Sequence, residues 1–167
     1  MPNRLLDTWH RLQRWPAGDR LFSRAVCFKA PYFATIAPRI TRLEPGRCEA
    51  TIRHRRKVSN HIGTVHAIAL CNLAELVAGV MTDASLPAAM RWIPRGMTVE
   101  YLKKATGTMR ATATPGIALV ESGEGYDLPV TVEVRDDAGE TVFRARIAMW
   151  VSPKPPRGAA TAASPQR

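Results

Sequence analysis

Apolar positions along this chain change their spacing, and the changes mark its elements. From Val65 to Met81 apolar and small residues run almost without a break. They are Val65, Ile68, Leu70, Leu73, Leu76, Val77, Val80 and Met81, with alanines at 67, 69, 74 and 78. No polar stripe survives at a period of 3.6, so the pattern predicts a helix apolar on every side. Such a helix is enclosed by a core or lies in a membrane. The stretch is short for a span, and His66, Asn72 and Glu75 oppose the membrane, since an ionisable group is expensive in lipid. The expectation is a soluble core helix with Glu75 buried in it. A buried Glu is rare unless it is paired or functional.

Elsewhere the period is two or the stretches are short. Arg39 to Leu43 and Arg47 to His54 predict two strands across the Glu44-Pro45-Gly46 turn. Ser85 to Ala89 reads as a loop. Beyond it, Met97 to Leu102, Thr108 to Thr114, Tyr126 to Arg135 and Glu140 to Val151 predict about four more strands. The last two form a hairpin across Asp136–Gly139, and Ile117 to Val120 is a short apolar run before it. Upstream, Leu5, Leu6, Trp9 and Leu12 fall at helical spacing. Pro16-Ala-Gly18 ends that helix, and Asp19 to Phe28 predicts a second. A basic helix with a Leu/Trp face suits a membrane surface, but packing on its own domain is the preferred reading. Pro31 to Pro38 is a connector. From Pro153 on, Pro, Ala, Gly and Ser predict a disordered tail.

The order is two strands, one apolar helix and about four strands. A ferredoxin-like unit needs a second core helix, and none follows. One curved antiparallel sheet wrapped around one helix fits: an α+β hotdog fold over 36–152, with a helical extension at 1–35 and a tail at 153–167.

The chain has 167 residues, 46% hydrophobic and 23% charged, which suits one globular domain. Cys27, Cys48 and Cys71 are odd in number and contain no CxxC pair. No disulfide framework is expected. With no signal-peptide pattern at the N-terminus, the cytoplasm is the expected location. The net charge of +10 favours anionic partners without choosing among phosphorylated cofactors, acidic lipid and nucleic acid. Arg53, Arg55, Arg56 and Lys57 cluster, and Lys103-Lys104 is a second pair; a solvated basic face explains both equally well. No aromatics interleave with them, so nucleic acid is not expected. His54, His61 and His66 lack metal-ligand spacing. No Gly-x-Ser-x-Gly elbow, P-loop or GxGxxG is present.

Asn60-x-x-Gly63-Thr64-x-His66, followed by Leu73-Ala74-Glu75, resembles the Asn…Gly-Thr-x-His-Gly-Gly…Leu-Ala-Asp signature of phenylacetate-type hotdog acyl-CoA thioesterases. Tyr101-Leu-Lys-Lys-Ala-Thr-Gly107 is similar to their Tyr/Phe-Leu-x-Pro-Ala-x-x-Gly segment, with the glycine one place early. The likeness covers residues 36–151. It implies hydrolysis of a thioester to a carboxylic acid and free CoA, with CoA entering as substrate and no resident cofactor. Glu75 would be general base or nucleophile, Asn60 would position water or thioester, and the Ala67 N–H would polarise the carbonyl. Gly63, His66 and Ile68 would border the substrate, and Arg56, Lys103 and Lys104 would meet the CoA phosphates. The resemblance further implies a homo-oligomer, a dimer or a dimer of dimers, with sites shared between subunits. Spacing agrees, because Ala67 and Glu75 stand about 12 Å apart along a helix.

Independent physics suits these roles. A helix N-terminus stabilises a developing oxyanion, and an apolar setting raises a carboxylate's pKa towards that of a useful base. Three departures bear on turnover: His66-Ala67-Ile68 replaces His-Gly-Gly, Glu75 replaces Asp, and Pro94 stands where some relatives carry a hydroxyl. The alternative function is a non-catalytic hotdog module that binds acyl-CoA or a lipid. The structural alternatives are a Glu75–Arg ion pair, Asn60 as a turn residue, His66 as a packing residue where the helix starts, and Cys71 as an inert hydrophobe.

Overall fold

The computed structural model describes residues 3–155. Its elements are α1 (Arg4–Leu12), α2 (Gly18–Lys29), a 3₁₀ turn (Pro31–Ile36), β1 (Arg39–Glu44) and β2 (Arg47–Ile52). A shorter 3₁₀ turn (Arg56–Val58) then leads to α3 (Ala67–Ser85), β3 (Met90–Tyr101), β4 (Met109–Pro115), β5 (Tyr126–Arg135) and β6 (Thr141–Pro153). The six strands form one curved antiparallel sheet in the order β1-β2-β4-β5-β6-β3, and α3 lies against its inner face. This is the hotdog arrangement.

Alternation explains the packing. Cys48, Ala50 and Ile52 of β2, Met109, Ala111 and Ala113 of β4, and Leu128, Val130, Val132 and Val134 of β5 are buried, and residues between them are not. Small side chains in β2 and β4 let α3 approach closely, so Leu73, Leu76, Val77 and Met81 are fully enclosed. By length and composition α3 would cross a membrane; here the sheet supplies its apolar surroundings instead.

The N-terminal helices join the same core. Asn3 caps α1, its Oδ1 accepting from the Leu5 and Leu6 N–H groups at 3.0 and 3.3 Å. Its Nδ2 donates to the Asp83 carbonyl at 2.7 Å. Trp9 is buried edge-on against Phe22 with ring centroids 5.0 Å apart. The Ile40 N–H of edge strand β1 donates to Ser23 Oγ at 2.8 Å. The Leu/Trp face of α1 therefore covers its own domain, as expected.

Two elements differ from the sequence reading. α3 ends at Ser85 rather than around Met81 to Asp83; Ser85 Oγ donates to the Met81 carbonyl at 2.6 Å and accepts from the Gly46 N–H at 2.8 Å. β3 begins at Met90, seven residues before the expected Met97, and tolerates Pro94 because it is an edge strand with an irregularity between Pro94 and Gly96. The short apolar run Ile117 to Val120 lies in the connection from β4 to β5. At the other end, the Lys154 N–H donates to the Ala89 carbonyl at 2.8 Å. Residues 156–167 of the expected tail lie outside the described residues.

Candidate active site at the start of α3

The loop from Val58 to His66 is a small closed hairpin that sets where α3 begins. Ser59 bridges to Val65, and the Asn60 N–H donates to the Thr64 carbonyl at 2.9 Å. Asn60 Oδ1 accepts from the Ile62 and Thr64 N–H groups at 3.1 and 3.0 Å, and its Nδ2 donates to Thr64 Oγ1 at 2.7 Å. Gly63 takes φ +76°, a left-handed turn that glycine enters without strain. The Asn60 side chain thus builds the turn. The His66 N–H donates to the Val58 carbonyl at 2.8 Å, and His66 Nδ1 caps the helix by accepting from the Ile68 N–H at 3.1 Å. That acceptor role assigns the ring proton to Nε2. The Ala67 N–H, the first of the helix, has no acceptor among the described residues. It is the free donor that the dipole end of α3 presents. The Val65 N–H donates to the Ala105 carbonyl at 2.8 Å, which lays the Tyr101–Gly107 segment beside this loop.

A cleft of about 170 Å³ opens next to the helix start, between α3 and the two 3₁₀ turns, with His66 and Ile68 on its rim. Asn72 also lines it. Its Nδ2 donates to Thr35 Oγ1 at 3.2 Å, whereas its buried Oδ1 has no partner. A buried amide with one unpaired end is costly in a dry core and marks where a ligand donor or a water fits.

Glu75 departs from expectation. It is exposed and makes no ion pair among the described residues, so neither the buried carboxylate nor the structural Glu75–Arg pair is present in the single chain. α3 is not covered on every side. Ile68, Cys71 and Glu75 form a stripe left open where the helix faces β3, and Ile68 is 56% exposed. β3 reaches that side through Trp92 and Tyr101. The Trp92 ring lies over Gly79, where an added Cβ would sit 3.0 Å from it, and Trp92 Nε1 donates to Asp83 Oδ1 at 2.6 Å. At the other end the Tyr101 hydroxyl and Cys71 Sγ are 3.3 Å apart. Glu75 stands between these contacts, one turn from each. The desolvation expected of its surroundings is therefore not supplied by one chain.

The sequence match decides the family: residues 18–151 match the one described as a domain of unknown function, DUF4442. The chain belongs to the DUF4442 family. No curated protein matches it. Among solved structures, a structural-genomics protein is 51% identical over 90% of this chain and 98% of its own, with a TM-score of 0.76. A Haemophilus influenzae thioesterase is 15% identical over 73% of this chain and 82% of its own, with a TM-score of 0.64. A thioesterase-family protein from Silicibacter pomeroyi is 18% identical over 79% and 96%, also at 0.64. The last two likenesses are of fold.

Within this DUF4442 fold the residues picked from sequence fall into two groups. Asn60, Gly63, His66, Ala67 and Ile68 come together at the start of α3, while Glu75 lies two turns away on the open stripe. Of the basic residues, Lys103 is paired with Glu140, Lys104 is exposed beyond β3, and Arg56 is exposed on the second 3₁₀ turn. Reading the sequence missed the Cys71–Tyr101 contact. The hydrogen bond to Cys71, aided by burial, pushes the Tyr101 hydroxyl up to about 12, so it stays neutral against Cys71, which lies one turn from Glu75. The four-residue spacing of Cys71 and Glu75 on one helix face was the available signal.

Proposed function

We propose that this DUF4442 protein is an acyl-CoA thioesterase-like hydrolase whose site is completed by a second copy of the chain. The observation that carries the reading is the pair formed by the free Ala67 N–H and the unpaired Glu75 on an uncovered stripe of the same helix. They are separated by eight residues, about 12 Å, so one chain does not present both to one carbonyl. A second chain joined along the free edge of β3 brings its α3 against this one, and Glu75 of the partner subunit faces Ala67. Ile93, Met97 and Tyr101 of β3 are exposed, and a long apolar edge strand is a ready template for pairing. The three cysteines are free, which suits work in the reducing cytoplasm.

In this reading Glu75 accepts a proton from water as the water oxygen bonds to the thioester carbon. The carbonyl oxygen takes the negative charge at the Ala67 N–H. Collapse of the tetrahedral species breaks the C–S bond, and the departing CoA thiolate takes up the proton. A panel of acyl-CoAs of increasing chain length, followed by released thiol, tests it; no release above the uncatalysed rate with any member refutes hydrolysis.

A second reading, an acyl-CoA- or lipid-binding module without turnover, is favoured by Ile68 at the helix mouth and by the unpaired Asn72 Oδ1. It expects acyl-CoA to raise the melting temperature with no thiol released.

A further inference from the structure

On the outer face of the sheet, away from α3, α2 and strands β1, β2 and β4 border a cavity of about 850 Å³. That is the size of a small-molecule site. Strand register places Arg39, Thr51 and Arg110 side by side across it. Arg20, Ser23, Arg24 and Cys27 form the opposite wall, at the spacing of one helix face. Arg53 and Arg55 close the end, with Arg55 donating to the Thr35 carbonyl at 3.2 Å. The lining thus carries six arginines and no carboxylate. Arg39 is tied to Asp19, and Arg110 to Asp137 at 2.8 Å. Arg20, Arg24, Arg53 and Arg55 have no ion pair among the described residues.

Four uncompensated guanidinium groups around one concavity focus a positive potential. Their forked donors match phosphate oxygens two at a time. No aromatic side chain lines the cavity, so it lacks the stacking platform that binds single-stranded nucleic acid. We propose that this groove binds a small ligand carrying two or more clustered phosphate groups. The site is separate from the one at the start of α3. The 3₁₀ turn Pro31–Ile36 stands between them, with Ala34 lining the groove and Thr35 and Ile36 lining the cleft.

Such phosphates have two sources, the nucleotide end of CoA or a free anion, and calorimetry on the full chain separates them. Inorganic pyrophosphate and adenosine 3′,5′-bisphosphate are expected to bind in the micromolar range. Arg24→Glu with Arg53→Glu weakens both at least tenfold, whereas the matched reversal Arg146→Glu, outside the groove, does not. If the double variant fails to fold, Arg24→Gln and Arg53→Gln singly carry the test, each weakening binding several-fold in a folded chain. CoA that binds at least as tightly, and loses as much in the variants, identifies the nucleotide end as the occupant. Pyrophosphate binding without CoA binding identifies a separate anion site. No pyrophosphate or bisphosphate binding below millimolar, binding confined to single-stranded RNA, or affinity indifferent to the substitutions overturns the proposal. None of these measurements needs turnover, so the groove stands or falls apart from hydrolysis.

Discussion

Glu75→Gln separates chemistry from architecture. Gln keeps the shape and nearly the helix propensity of Glu and removes only the charge. Because Glu75 is exposed and unpaired, the substitution breaks no contact within the chain. The expected stability change is within about 0.5 kcal/mol, as for surface substitutions, a shift of less than about 2 °C for a domain of this size. Breaking a buried ion pair would instead cost about 3–5 kcal/mol. Thioester hydrolysis should fall at least ~10²-fold, the scale of a positioned acid–base group, or about 2.7 kcal/mol of activation free energy. Acyl-CoA binding should persist, since contacts made equally before and during the reaction remain. Glu75→Asp, one methylene shorter, should retain part of the rate. Thiol release and thermal melting on the same preparations read both quantities. Unchanged turnover, or a fall in melting temperature above about 10 °C, refutes the reasoning.

The free edge of β3 gives a second expectation: Ile93→Lys with Met97→Lys, the charge by which natural edge strands avoid pairing, should convert a dimer to a folded monomer in light scattering at micromolar concentration. A dimer that persists sinks the shared site. The third concerns acid. Hydrogen bonds from Arg135 and then Arg144 hold the Glu133 carboxyl below its usual range. Its contribution is therefore present above the unfolded pKa and lost as pH falls through the folded one. Wild type should exceed Glu133→Gln in stability at neutral pH, and the difference should vanish once the pH has fallen through the lowered folded pKa; a gap that stays constant with pH in urea titrations contradicts it.

The architecture was legible because the apolar run of α3 and the alternation of β2, β4, β5 and β6 report burial directly. The first half of β3 was not. Pro94 and Gly96 break a strand pattern, and only a place at the sheet edge tolerates them. The exposure of Glu75 was hidden for a related reason: a stripe of Ile68 and Cys71 reads as core, and an edge strand whose Ile93, Met97 and Tyr101 are themselves exposed leaves it open. Asn60 and His66 lie in the loop that leads into α3, where the Asn60 side chain ties the turn to Thr64, the role its residue type allows. The arginine groove was invisible because Arg20, Arg24, Arg39, Arg53, Arg55 and Arg110 come from α2, two strands and a loop, and only the run at 53–57 shows in one dimension.

The two polar ties at the far end of α3 bear on how this domain connects to anything else. Asn3 is fastened to the Asp83 carbonyl at 2.7 Å, and the Lys154 N–H to that of Ala89 at 2.8 Å. Both described ends of the chain thus emerge beside the finish of α3, about 24 Å along the helix axis from Ala67. A fluorescent label, an affinity handle or a fused enzyme attached at either end hangs off the pole opposite the cleft.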